Sequence, residues 1–318
     1  MRCLLIAVAL LLSAGSAFAQ SREPSAAIAR LEAETVLLNQ VRTFARPTAE
    51  ARREAALTLI RRAGFEPVVE AFEGGEAGRP MEGHNITFVV RGHSNCGCEI
   101  LLTAHYDAVV LANGQLADGL VDNAASVVAV VEAARQLRDD NLYHDVRVVL
   151  FDQEELGLLG SRAWIAAHGT GHAAAVVNSD VAAFGDTMMY GQNNGPQSLF
   201  VTQAVQRVCS ERELQCVGYP NYPPSDDRTF VADRTPVVSL GFQTEIGAHQ
   251  MWLAFNAPQG QSGLAPGFVP DVFTVIHSEN DNIGRVESAT LFLAAETYAA
   301  VVTEIDGYFH RPDDHLRE

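Results

Sequence analysis

Four apolar runs of strand length, Ile86–Val90, Ile100–Ala104, Val146–Phe151 and Ala173–Asn178, constrain the fold of this chain more than any other feature of it. They are too short for buried helices and show little polar alternation, so each reads as a strand covered on both faces. Between them, Ala124–Leu137 and Leu158–Ala167 carry apolar residues at helical spacing. This alternation implies an α/β, three-layer sandwich: a mixed, mostly parallel sheet with helices on both faces. Val237–Phe242 adds a strand and Val286–Ile305 a long closing helix. Residues 20–64 read as helical, with a start at Pro47-Thr48 and Gly64 as a C-terminal cap. Residues around 73–83, 108–120, 185–196 and 217–230 carry Gly, Pro and Asn and read as loops. No repeat or low-complexity linker interrupts the chain, so residues 20–318 are expected to form a single domain.

The N-terminus runs Met1-Arg2, then apolar from Leu4 to Leu12, then small residues ending Ala17-Phe18-Ala19. That is the order of a secretory signal peptide over residues 1–19, with cleavage expected after Ala19. The apolar run is shorter than a bilayer span, and Cys3 precedes it, so the expected product is exported, periplasmic or secreted, with no membrane anchor. The net charge of −17 argues against nucleic acid or anionic lipid as a partner. All 22 basic residues are arginine, which excludes lysine Schiff-base chemistry and a phosphate-loop lysine. Base composition of the genome accounts for that absence better than function does. Nothing in the sequence signals an oligomeric state.

Four cysteines follow the leader: Cys96, Cys98, Cys209 and Cys216. In an oxidising compartment they allow two disulfides in three connectivities, and Cys209–Cys216, closing a short loop, is preferred. Cys96-Gly97-Cys98 looks like half of a metal knuckle. It has no second pair at usable spacing, so it is assigned a structural role.

In sheets of this kind, ligand sites lie beyond the carboxyl ends of the strands. Ile100–Ala104 runs into His105-Tyr106-Asp107, Val146–Phe151 into Asp152-Gln153-Glu154-Glu155, and Ala173–Asn178 into Ser179-Asp180. Asp122-Asn123 opens the helix at Ala124, and His277 follows the apolar stretch Val272–Ile276. His105 and Asp107 leave an extended segment on the same side, and a zinc-bound histidine needs such a partner on its other ring nitrogen. His105 and His277 with Asp122, Glu155 and Asp180 could hold two zinc ions, about 3.5–4 Å apart, if one carboxylate bridges. Without cations, acids gathered so closely would raise one another's pKa values. Of the adjacent pair Glu154-Glu155, one can bind metal while the other serves as general base. Taken singly, His-X-Asp is more often structural, Glu-Glu a solvated turn and Asp-Asn a helix N-cap. Their recurrence at successive strand ends is the stronger signal. Zinc suits this ligand set, and cobalt or manganese would fit it too.

On Leu102–Asp107 (LTAHYD), Val121–Ser126 (VDNAAS), Phe151–Ser161 (FDQEELGLLGS), Val177–Gly185 (VNSDVAAFG) and His277–Asn282 (HSENDN), the sequence resembles the zinc exopeptidases of the bacterial leucyl aminopeptidase type. The resemblance covers roughly residues 85–305 and is most specific at Glu154–Ser161. It implies a sheet of about eight strands. It also implies that His105 and Asp180 bind one zinc, Glu155 and His277 the other, and that Asp122 bridges them. Glu154 would be the general base, with Asp107 and Asp281 orienting the two histidines. The implied activity is hydrolysis of the terminal residue from peptides with a free terminus, most naturally the N-terminal one. Zinc lowers the pKa of the attacking water, and Glu154 carries its proton to the departing amine.

This chain departs from the family's pattern at three places. Val121 precedes the bridging aspartate where an acid is common. Ser225-Asp226-Asp227 stands where Ser-Asp-His is usual, and Ile276 where several members place an oxyanion-stabilising tyrosine. Tyr219, Tyr222 and Arg228 are the nearby substitutes, and nothing in the sequence selects among them. Three other readings compete. A single-zinc glutaminyl cyclase shares the scaffold, but the short Leu156–Gly160 segment is peptidase-like. A carboxypeptidase would need a cation for the substrate carboxylate, for which Arg228 and Arg234 are available. A non-catalytic binding domain would be expected to have lost a ligand or the base, and all are present.

Overall fold

The computed structural model describes residues 26–309. The leader pattern at 1–19 lies outside the described residues. Helices α1 (Ala26–Arg42) and α2 (Ala49–Arg62) come first, and Thr48 caps α2 by accepting from the Ala51 amide at 3.2 Å. The strands are β1 (Val68–Glu76), β2 (Arg79–Val90), β3 (Glu99–His105), β4 (Asp145–Phe151), β5 (Ala173–Ser179), β6 (Thr187–Gly191), β7 (Cys216–Tyr219) and β8 (Val237–Gln243). The remaining helices are α3 (Ala125–Leu137), α4 (Leu159–His168), α5 (Leu199–Glu211), α6 (Asp227–Ala232), α7 (Glu245–Asn256) and α8 (Ser288–Tyr308).

All eight strands form one sheet in the order β1-β2-β4-β3-β5-β8-β6-β7. The centre, β4-β3-β5-β8, is parallel, and the β1-β2, β2-β4 and β6-β8 pairs are antiparallel. Alternation along the central strands divides the apolar side chains between two layers. Ile100, Leu102 and Ala104 of β3 join the larger core with α3 and α8, whereas Leu101 packs with Val149, Phe151 and Val176 against Trp164 of α4 and Phe230 of α6. Each such side chain taken fully from water contributes about 1.5–3 kcal/mol, so the three-layer arrangement follows directly from these runs. Among the described residues no helix is long and apolar enough to cross a membrane.

Three segments expected to be loops contain regular structure. Residues 73–83 form the tip of a hairpin, where β1 and β2 pair through Glu76 opposite Arg79 and the turn places Gly78 at φ 81°. The glycines there mark a tight turn rather than a break in the sheet. Residues 185–196 contain β6, whose Thr-Met-Met-Tyr-Gly sequence lacks the β-branched run that marks the central strands. Residues 217–230 take in most of β7 and the start of α6. Cys209 and Cys216 form the preferred disulfide, and Cys96 and Cys98 form the second.

One buried hydrogen-bonded pair ties the last helix to the sheet. Asp306 of α8 accepts from the backbone amides of Tyr143 and His144 at 3.0 and 2.9 Å and lies 2.8 Å from His144 Nδ1.

Candidate metal centre

The parallel strands set the site by ending together. His105 is the last residue of β3, Asp180 follows β5, and Glu154 and Glu155 lie in the turn after β4. Asp122 enters from the irregular turn Leu120–Ala124 before α3, which contains a cis peptide between Asp122 and Asn123. Asn123 fixes that turn to the end of β5: its Nδ2 donates to Ser179 O at 3.0 Å and its Oδ1 accepts from the Val181 amide at 3.1 Å. His277 comes from the loop after a short 3-10 turn at Asp271–Thr274, with φ 57°.

These residues converge as two groups. Ligand atoms of His105, Glu154 and Asp180 lie within 4.8 Å of one another, and so do those of Asp122, Glu155 and His277. Asp122 joins the groups: its Oδ1 is 3.1 Å from His105 Nε2 and its Oδ2 is 3.2 Å from His277 Nε2. His277 Nε2 is also 3.0 Å from Glu155 Oε2, and His105 Nε2 is 3.8 Å from Asp180 Oδ1. The His105–Asp122 approach is close without hydrogen-bond alignment. Asp122 Oδ1, Glu155 Oε1 and Asp180 Oδ1 are all buried without a hydrogen-bond partner. Buried orphaned carboxylate oxygens cost about 1–3 kcal/mol each, and cations between them would satisfy all three. The donor set therefore fits zinc: two imidazoles and three carboxylates, with one carboxylate shared.

The electrostatics agree. Burial disfavours charge on His105, but Glu154, Asp107, Asp122 and Asp180 outweigh it and raise its pKa well above the usual value. Hydrogen bonds to Asp122 and Glu155 push His277 up to about 10. Burial pushes Glu154 up to about 10, opposed by His105 and reinforced by Asp226, Asp180 and Asp107. Without metal, then, protons occupy positions that suit cations.

Asp107 sits 3.2 Å from His105 Nδ1, as the sequence suggests, and also accepts from the amides of Glu154 and Glu155 at 3.1 and 3.2 Å. Asp281 differs from expectation. Its oxygens accept from the amides of Val121 and Asp122 at 2.6 and 3.1 Å, so it fixes the segment carrying the shared carboxylate rather than the ring of His277.

Sequence reasoning missed Arg52. It is completely buried beneath the site and donates to the carbonyls of Phe44, Tyr106, Asp118 and Gly119, holding the loop that follows β3. Burial lowers its pKa to about 10, against the nearby Asp107, Asp281, Asp122 and Glu155. On an Ala/Leu/Arg helix it carries no sequence mark. Asp226 and Asp227 are likewise buried behind the site, where burial raises both to about 7.

A cavity of about 450 Å³ opens beside the centre. Asp122, Glu154, Glu155, Asp180 and His277 form one wall, and Met189, Met251, Phe255, Val272 and Ile276 form an apolar end. Of the three candidates left open above, Tyr222 alone lines it; Tyr219 donates to Ala248 O, and Arg228 lines a different groove with Arg162. No arginine lines the cavity among the described residues.

No curated protein sequence matches the chain. The fold is similar to that of a zinc aminopeptidase from Bacillus subtilis, with a TM-score of 0.64 at 14% identity over 85% of this chain and 93% of that one. It is also similar to a glutaminyl cyclase from Porphyromonas gingivalis, with a TM-score of 0.62 at 20% identity over 88% and 98%. For an aminopeptidase from Aneurinibacillus sp. strain AM-1 the TM-score is 0.54 at 18% identity over 70% of this chain, which spans about half (48%) of that protein. At such identities the likeness is one of fold. The sequence itself matches Peptidase family M28 over residues 85–302. Because that match reaches from β2 into α8 and covers most of the chain, this protein belongs to Peptidase family M28.

Proposed function

We propose that this chain is an exported two-zinc aminopeptidase, residues 20–318 forming its catalytic domain. The observation that carries the reading is the placement of the two Asp122 oxygens, each about 3 Å from a different histidine, as a carboxylate shared by two ions requires. His105 and Asp180 would hold one ion, Glu155 and His277 the other. Bound zinc supplies Lewis acidity toward the scissile carbonyl and the attacking water.

The chain's own groups do the rest. Glu154 lines the cavity and is held near His105 by the hydrogen bond its backbone amide donates to Asp107, so it takes the proton of the attacking water and delivers it to the departing amine. Metal ions held by the neighbouring ligands would lower its pKa from the raised, buried value toward that of a working base. Tyr222 lines the cavity, and its hydroxyl is the group we assign to donate to the developing oxyanion. The acids of the wall favour a substrate α-ammonium, and the lining among the described residues offers no arginine for a terminal carboxylate. The methionine-rich end suits an apolar terminal side chain. The leader pattern at residues 1–19 supports export.

Glutaminyl cyclase is retained as the second reading because the fold matches cyclases about as well as it does aminopeptidases. Glu154→Gln tests the assignment of the base. Turnover of a leucyl anilide is expected to fall by about 10²–10⁴-fold with zinc content unchanged, and near wild-type turnover would remove Glu154 from the mechanism.

A further inference from the structure

Gln153 stands immediately before the proposed base and takes part in no step of the proposed chemistry. Its backbone adopts φ 56°, the left-handed region that residues with a Cβ avoid, and its side chain is buried. Its Nε2 is buried without a hydrogen-bond partner. Two unfavourable features at one residue persist only where the surroundings hold them in place, and such residues gather at functional sites. The side-chain oxygen shows what holds this one. Oε1 accepts from the Gly75 amide at 2.8 Å, reaching the β1–β2 hairpin across 78 residues of chain. Gly74 makes room for the contact, since a methyl group on that glycine would overlap Oε1. The Gln153 amide donates to Asp152 Oδ1 at 3.0 Å, and its carbonyl accepts from the Leu159 amide at 3.1 Å. The turn of Glu154 and Glu155 is therefore gripped from two sides, by Asp107 after β3 and by the hairpin through Gln153. None of Gly74, Gly75 and Gln153 lines the cavity.

We propose that Gln153 is a positioning residue, which locks the β1–β2 hairpin onto the turn after β4 and so aims Glu154 at the attacking water. This role presupposes Glu154 as the base. A reacting group misplaced by about 1 Å loses on the order of 10²-fold in rate. A contact made with the hairpin, away from the substrate, should therefore govern kcat and leave KM alone.

Gly74→Ala tests this from the hairpin side. The added methyl displaces Oε1 and also meets the Phe72 ring. In the wild-type background, kcat for a leucyl anilide should fall at least about 10-fold with KM little changed. In the Gln153→Gly background no side chain remains to be displaced and φ 56° is still allowed, so the same substitution should change kcat by less than about twofold. An effect exerted through Phe72 would be the same in both backgrounds. Amide exchange at Glu154 and Glu155 reads the grip without any activity, and protection should fall in Gly74→Ala and in Gln153→Gly. The proposal is overturned if Gly74→Ala leaves kcat unchanged in the wild-type background, or lowers it equally in both. Should the wild type hydrolyse no anilide, the function proposed above fails and exchange alone decides: equal protection in wild type and Gly74→Ala overturns the clamp. Should Gly74→Ala not fold, Gln153→Met, which keeps the length and removes the acceptor, should lower kcat likewise, and a wild-type kcat overturns it.

Discussion

The carboxylate of Asp107 stands 3.2 Å from Nδ1 of His105 and at the same time receives the amides of Glu154 and Glu155. One side chain at the end of β3 thus sets both the ring of a proposed ligand and the turn that carries the proposed base. Asp107→Asn exchanges a charged acceptor for a neutral one at both. Zinc affinity, measured by chelator competition, should fall about 10–100-fold. Unchanged affinity would mean that His105 is oriented by something else.

Tyr222 lines the cavity together with Ile276, the position at which several members of the family that the sequence resembles carry a tyrosine. Tyr222→Phe should reduce kcat by about 10²-fold with KM little changed, the pattern of an interaction made in the transition state. A rise in KM alone would make Tyr222 a binding residue.

Arg52 satisfies four backbone carbonyls from a fully buried position. Arg52→Met retains much of the volume and leaves those carbonyls orphaned, a loss of at least about 3 kcal/mol. The denaturant midpoint reads it. A loss below about 1 kcal/mol would show that water or a rearranged loop replaces the guanidinium.

Burial opposes ionisation of Asp306, but the His144 ring and the amides of His144 and Tyr143 outweigh it and hold the carboxyl below its ordinary value. A depressed folded pKa stabilises the protein fully above the unfolded value of about 3.9 and is lost as pH falls through the folded one. Asp306→Asn should therefore cost about 2 kcal/mol at neutral pH, and the gap in stability from wild type should narrow below about pH 4. A gap that stays constant to pH 2 would contradict this.

The sheet was legible because β3, β4 and β5 are continuous apolar runs buried on both faces, and a strand of that kind has few alternatives. The outer strands were not. β6 and β7 owe their state to pairing with neighbours, and the β1–β2 tip announces itself only by glycines that loops share. His105, Glu155 and Asp180 converge because strand ends impose proximity, which position along the chain reveals, while Asp122 and His277 reach them from an irregular turn and a loop. Partners that act through the backbone are invisible to that logic. Asp281 bonds amides of a distant turn, and Arg52 bonds only carbonyls.

The most direct test of the central claim is zinc content by mass spectrometry on the purified chain, together with hydrolysis of a leucyl anilide with and without chelator. Two zinc ions per chain and chelator-sensitive release of the anilide are the expected result. One zinc, no hydrolysis and cyclisation of an N-terminal glutaminyl peptide would contradict it and establish the cyclase reading. A folded protein with no zinc and neither activity would contradict both.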